Sequence, residues 1–389
     1  MWTSGISWTR SDGWVEGARR GDSSGDAALV LYFAAPEALD VVSPFEELSR
    51  RHPSALVVGC TTGGEILGGD VRDGSVVAAA LGFESASVRA AIRDASGRAD
   101  SESIGRSLGE ELSSFGGLRA LFVLSDGMGI DGDALVSGCV ASVGSGVSVT
   151  GGLAGDGARF ERTLVGCGGP PIAGRVVAIG FFGQSVLVGS GCVGGWTPFG
   201  PSRTITRSRG NVLLELDGEP ALDLYSRYLG DDAAGLPGSA LLFPLSVSRV
   251  GVVDSGSDVV RTIVGIDESE RSLVFAGGMP EGSSARLMRG RFEALIDGAA
   301  GAAGAAFSAS GFGGGDGGSA SLALLVSCIG RKLLMGQRVG EEAEVVASVM
   351  GADCECLGFY SYGELAPPGL GDSCRLHNQT MTVTFLSEA

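Results

Sequence analysis

The chain has 389 residues, 44% hydrophobic and 19% charged, and its 28 basic side chains stand against 45 acidic ones for a net charge of -17. That length exceeds one average domain and suggests two, each able to bury a core. The negative charge repels phosphate backbones and anionic lipid, so neither nucleic acid nor a membrane surface is an expected partner.

The residues ahead of Ala27 contain no uninterrupted apolar stretch of signal-peptide length, which points to the cytoplasm. The eight cysteines are then free thiols in a reducing compartment. Short apolar runs alternate with helical patterns through the first half. A strand starts at Ala28, a helix covers Pro44 to Arg50, and a second strand starts at Ala55. "SVVAAALGFE" and "ASVRAAIRD" then read as a hairpin-like pair, which argues against a purely parallel sheet. A helix follows over Ser101 to Ser114, then the strand "LRALFVLSDG", a helix from Asp131 and the strand "SVTGGLAGDG". The longest uncharged run, Val176 to Ser202, is broken by Gln184, Ser185 and repeated glycines and reads as two strands around a turn, not a membrane span.

Beyond Arg209 the pattern restarts with "NVLLELDG", a helix in "EPALDLYSRYLG", the strands "RTIVGID" and "RSLVFAGG", and an alanine-rich helix from Arg291 to about Ser308. The glycine-rich segment 308–321 reads as a mobile surface loop, since its glycines do not sit between a strand and a helix start. The strand "LALLVSCIG" follows. The expected fold is α/β, in two related lobes with mixed parallel and antiparallel sheets flanked by helices, divided into residues 27–218 and 219–386.

The lobes echo one another. "GCTTGGEI" from Gly59 and "GFYSYGEL" from Gly358 both end in glycine, glutamate and an aliphatic residue, and "GGLAGDG" from Gly151 is a looser version. Each sets an acid (Glu65, Glu364, Asp156) just past the end of an apolar strand, where α/β proteins tend to bind ligands. A shared turn in which the acid bonds nearby amides explains the same pattern. The hydroxyls Thr61, Thr62 and Ser361 belong to these blocks.

The phosphate-loop, zincin and nucleophile-elbow signatures are absent. Of the two histidines, His52 lies in a polar connection, whereas His377, next to Asn378 and Gln379, abuts the terminal apolar strand. His377 is the histidine available as base, metal ligand or hydrogen-bonded core residue. Cys354, Cys356, Cys374 and His377 are four zinc-type ligands at a spacing unlike that of a zinc knuckle. Cys328, at a strand end near Arg331 and Lys332, is either a thiol activated by those charges or a small apolar residue. Arg331, placed in a turn after glycine, suits a ligand carboxylate, and Glu364 suits an ammonium group; together they would hold a small zwitterion or form a structural ion pair.

The ordered blocks "VVGCTTGGEI", "LFVLSDG", "GGLAGDGARFERTLV", "ALDLYSRYLG", "RTIVGID", "FAGGMPEGSSARLMRG", "LLVSCIGRKLLMGQ", "GFYSYGEL" and "LHNQTMTVTFL" resemble those of the FIST family from about Ala27 to Leu386. The resemblance implies an N-terminal and a C-terminal FIST domain in a stand-alone protein of bacterial type. It implies a sensory role in signal transduction, with an amino acid or related metabolite as ligand, and picks out the blocks flagged above. Without a kinase, cyclase or receiver segment, output would pass through a separate chain such as a histidine kinase. No cofactor is expected, although some relatives are haem proteins that sense nitric oxide, which keeps haem open with His377 as its axial ligand. The other rival is an enzyme of small-metabolite chemistry using His377 or Cys328, for which a complete acid, base and nucleophile set is wanting.

Overall fold

The computed structural model describes residues 1–22, 24–248, 258–312 and 320–389. Its plan follows from three strands buried along nearly their whole length: Leu29–Ala34, Leu118–Ser125 and Ser321–Cys328. A continuous apolar run of this kind needs cover on both faces, so each lies in the middle of a sheet. Each is followed by a helix and by a strand that returns parallel to it: Leu56–Thr61, Ser148–Leu153 and Cys354–Ser361. A third strand of each set, Val76–Gly82, Arg175–Phe182 or Met381–Glu388, runs antiparallel along the other side. Among the described residues three units share this plan, two in the first half of the chain and one at its end.

The units complete one another's sheets. The first sends its hairpin, Glu65–Leu67 and Asp70–Arg72, onto Cys354–Ser361 of the third. The third sends Gly363–Ala366 and Arg375–His377 onto Ser148–Leu153 of the second. The second sends Val165–Cys167 onto Leu56–Thr61 of the first. Each sheet is extended on its far side, the third by Val186–Val193, the second by Ser87–Asp94 and the first by Trp2–Thr9 with Gly13–Glu16 beyond it. The inner faces of all three pack into one core, in which Phe33 meets Phe359 with ring centroids 4.5 Å apart.

Helices cover the outer faces. Pro44–Arg51 covers the first sheet; Ser101–Ser113 and Gly132–Ser142 cover the second; Phe292–Ser310 and Gly340–Met350 cover the third. Between the second and third units the chain builds an antiparallel sheet, from Trp196–Arg209 to Ser284–Gly290, around the helix Ala221–Leu229, with a core of its own. The protein is thus α/β with mixed sheets flanked by helices, in two halves related through these units.

Several local expectations are corrected. Val76–Gly82 and Ser87–Asp94 do not form a hairpin, because the chain changes sheet between them; Arg175–Phe182 and Val186–Val193 are the two expected strands around a turn, placed in different sheets. Arg331 and Lys332 lie in the helix Ile329–Met335, not in a turn. Of the glycine-rich segment, residues 308–310 finish a helix and Ser321 opens a strand, while 313–319 lie outside the described residues. All eight cysteines are unpaired. Among the described residues no helix is long and apolar enough to cross a membrane.

The helices Ser101–Ser113 and Gly132–Ser142 meet backbone to backbone. A Cβ at Gly105 would stand 2.1 Å from the Leu135 carbonyl oxygen, and one at Gly138 would stand 2.1 Å from that of Glu102. Gly105→Val is therefore expected to cost about 1–3 kcal/mol by overpacking and to lower the melting temperature by several degrees. An unchanged thermal transition would mean that the helices re-space freely.

Candidate functional site

The residues that follow the three returning strands meet at the pseudo-threefold axis. Gly63 N–H donates to the Tyr360 carbonyl (2.7 Å), Tyr362 N–H to that of Leu153 (3.2 Å) and Gly155 N–H to that of Thr61 (3.0 Å). These are equivalent positions in the three units, so the hydrogen bonds form a closed ring. The three acids flagged in the sequence hang beside it.

Glu65 and Glu364 are bonded alike. Thr62 Oγ1 donates to Glu65 Oε1, and Ser75 donates to Oε2 through both its amide (3.1 Å) and its hydroxyl (2.7 Å). Ser361 Oγ donates to Glu364 Oε1 (2.7 Å), and Thr380 donates to Oε2 through its amide (3.1 Å) and hydroxyl (2.9 Å). Both glutamates are 0% exposed. Burial pushes Glu65 up to about 7 and Glu364 up to about 8, against the pull of these donors and of Lys332 and Arg331 respectively. Asp156 differs. Burial raises its affinity for a proton, but Tyr362 Oη and the amides of Phe160, Glu161 and Arg162 outweigh that and hold it below the usual carboxylate range.

Thr61 Oγ1 accepts from the Leu164 amide (2.9 Å). Thus Thr61, Thr62, Glu65, Asp156, Ser361 and Glu364 are brought together, but as a closed and bonded centre.

Arg331 does not pair with Glu364. Its Nε and Nη2 donate to Glu342 Oε2 (3.0 and 2.8 Å), and its remaining contacts go to the carbonyls of Gly194 and Leu295 (2.5 and 2.9 Å). Glu342 Oε1 accepts in turn from Ser327 Oγ (3.0 Å) and Tyr360 Oη (2.8 Å). Both members of the pair are 0% exposed. The expectation that Arg331 offers a fork to a ligand is therefore corrected: that fork is spent inside the fold. Its neighbour Lys332 reaches the Gly63 carbonyl (2.8 Å) and Asp73.

His377 is 4% exposed and its Nε2 donates to the Ala366 carbonyl (3.0 Å). Burial, opposed by that bond, pulls it down to about 4, so the ring is neutral near pH 7. Asn378 Oδ1 and Gln379 Oε1 are buried without a donor, whereas Gln379 Nε2 donates to the Leu241 carbonyl (3.1 Å). Burial also pushes the Cys328 thiol far up, which makes it inert rather than nucleophilic. Among the described residues no three or more His, Cys, Asp or Glu side chains come together as a metal-holding group.

The open chemistry lies to one side. A cavity of about 560 Å3 is bounded by one face of the helix Gly132–Ser142 (Asp133, Val136, Ser137, Val140), by Val247, Val259 and Arg261 of the inserted sheet, and by Ser373 to Arg375 of the third unit's hairpin. Arg261 donates to both oxygens of Asp133 (3.0 and 3.1 Å) and to the Leu376 carbonyl (2.9 Å). Arg375 is exposed, and its guanidinium makes no ion pair or hydrogen bond among the described residues. Sequence reading missed all three. Arg261 did carry a signal, an arginine inside an apolar strand that needs a partner when buried; Arg375 and Asp133 carried none.

Fold and site together describe an α/β protein of two halves, with a sealed polar centre and an open cavity lined by the second unit, the inserted sheet and the third unit's hairpin. The FIST N domain profile matches residues 28–219 and the FIST C domain profile matches 221–367. The chain belongs to the FIST family, whose domains are sensory domains of signal transduction. His377 to Gln379 and the last strand fall after the matched stretch. No curated protein matches the chain.

Two outcomes follow. Arg331→Ala strands a buried carboxylate and is expected to cost about 3–5 kcal/mol, read as a fall in the urea midpoint; a midpoint within error of wild type would contradict the buried pair. Glu65 and Glu364 hold protons in the fold that the unfolded chain releases above its value of about 4.5, so their contribution to stability falls as pH rises from 4.5 to about 8. His377 acts oppositely, losing stability as pH drops from 6.5 to about 4, and Glu388, held at about 2, does so as pH drops from 4.5 to 2. Between pH 6.5 and 8, of these four groups only the glutamates titrate. Wild type should lose stability relative to Glu364→Gln over that range in urea titrations; parallel curves would refute the assignment.

Proposed function

We propose that this protein is a cytoplasmic sensor that binds a small carboxylate-bearing metabolite of the amino-acid kind in the cavity of about 560 Å3 and signals through a separate partner chain, a histidine kinase being one candidate. The observation that carries this reading is the Arg375 guanidinium, unengaged among the described residues, in the same cavity wall as the Arg261–Asp133 pair. A guanidinium takes a carboxylate by two parallel hydrogen bonds. Asp133, although its oxygens already accept from Arg261 and from the Gly278 amide, lines the cavity with a carboxylate that an ammonium group would share. The strand-end residues first flagged then act as the scaffold beneath this site, and the zwitterion chemistry assigned to Arg331 and Glu364 passes to Arg375 and Asp133.

A ligand held there touches the second unit, the inserted sheet and the third unit's hairpin at once. Any preference for one arrangement of these parts becomes a shift in their population, which is what a partner chain can read.

Haem is the less favoured reading. His377 spends Nε2 on Ala366, is buried, and lines neither of the two large cavities, so the residues present do not fit an axial ligand to a macrocycle. A sharp Soret band after haem addition, lost in His377→Ala, would restore that reading. The enzyme reading is less favoured because, among the described residues, Cys328 and His377 are both buried and neither lines a large cavity.

Calorimetry against a panel of amino acids and their relatives tests the proposal. Arg375→Ala should weaken binding by about 1.5–3 kcal/mol, roughly 10- to 150-fold, without lowering the melting temperature of the free protein, because Arg375 is exposed. Unchanged affinity in this variant would sink the assignment of the site, and consumption of a compound by pure protein would sink the sensor reading.

A further inference from the structure

A second cavity, of about 330 Å3, shares Val140, Ser373 and Cys374 with the first. Its walls are of another kind. The first cavity is faced by side chains at helical spacing, Asp133, Val136, Ser137, Val140 and Ala141. The second is faced by runs of consecutive residues: 143–149, 188–190 and 369–374. In a strand, successive side chains point to opposite faces, so a cavity that touches Val188, Gly189 and Ser190 alike meets the strand along its edge. Among the described residues that strand, Val186–Val193, is the terminal one of its sheet and pairs only with Met381–Glu388, on its inner side. Unpaired backbone N–H and C=O groups along an edge are a template for another extended backbone.

We propose that the two cavities form one site for a short peptide, whose C-terminal carboxylate sits at Arg375 and whose backbone lies in extended form against the edge of Val186–Val193. This rests on the sensor reading above and narrows its ligand class from a single amino acid to a peptide. The glycine and serine content of the second cavity's walls, Gly144, Ser145, Gly146, Ser148, Gly369 and Gly371, leaves backbone groups open to the ligand and little side-chain bulk to select its residues. Recognition there depends on the peptide's main chain and its terminus, and is tolerant of side chains.

The test uses the full chain and defined probes: alanine, trialanine, trialanine amide, and trialanine methylated at its central amide nitrogen, each measured by calorimetry. Trialanine should bind at least ten-fold more tightly than alanine. The amide should lose most of that affinity by removing the carboxylate, and the methylated peptide should fall to the level of alanine, because it lacks the N–H that the edge strand receives. Alanine and trialanine binding equally would overturn the peptide proposal while leaving the amino-acid sensor intact. Trialanine unaffected by methylation would likewise overturn it, since the second cavity would then not read the backbone. If trialanine does not bind and Arg375→Ala still abolishes binding of an amino acid from the panel, the peptide proposal fails alone. If nothing in the panel binds, both fail.

Discussion

Three backbone hydrogen bonds, Gly63 to Tyr360, Tyr362 to Leu153 and Gly155 to Thr61, close the ring on which the rest of the molecule depends. Each joins two units, and each sits where a returning strand gives way to the segment that will leave its own sheet. A unit taken alone would present an unpaired edge beside Leu56–Thr61, Ser148–Leu153 or Cys354–Ser361, with buried backbone groups left without partners. Exchange of the hairpins removes all three edges together. The halves of the chain are therefore not independent beads: the first unit's sheet needs the second unit, and the third unit both gives and receives strands.

The same constraint explains the sealed centre. Three strand ends converge, each bringing a carboxylate into a space from which water is excluded, and a buried carboxylate needs donors or a proton. Glu65 and Glu364 solve this identically, by a hydroxyl three residues earlier and by the amide and hydroxyl at the start of the third strand. Asp156 takes its donors instead from Tyr362 Oη of the third unit and from the amides of the loop that follows it. Arg331, adjacent in the chain to the lysine that serves the first unit, is neutralised by Glu342 within the third. With every one of these groups engaged, the axis holds the units in register and offers no free polar side chain of this set to a ligand.

Much of this was legible in the sequence. The buried strands announced themselves as apolar runs, and the kinship of "GCTTGGEI" with "GFYSYGEL" was a true mark of equivalent geometry, down to the hydroxyl that precedes each glutamate by three residues. What the sequence could not carry was the destination of each segment. Val76–Gly82 and Ser87–Asp94 are separated by four residues, and nothing local distinguishes a hairpin from a chain that leaves for another sheet; the choice is made by which apolar face each must bury. Nor does an arginine declare its exposure. Arg331 and Arg375 both stand beside apolar strand signals and polar clusters, yet one is 0% exposed and saturated while the other stands open at a cavity. Burial, set by long-range packing, decided which could meet a ligand.

That difference also locates where occupancy of the cavity would be felt. Arg375 opens the strand Arg375–His377, whose register partner for His377 is Glu364 itself. Arg261, from the inserted sheet, holds the Leu376 carbonyl in the same strand, and two residues past His377 the carbonyl and side chain of Gln379 are held by Trp196 (2.6 Å) and Leu241 (3.1 Å) of that inserted segment. Five residues thus join an open cation, a neutral buried histidine and two docking points of the inserted sheet. Packed interiors respond to displacement by switching between arrangements rather than by stretching. A ligand that drew on Arg375 would therefore act on a strand whose neighbour carries a central carboxylate and whose continuation anchors the inserted sheet, one short segment joining the open cavity to the sealed centre.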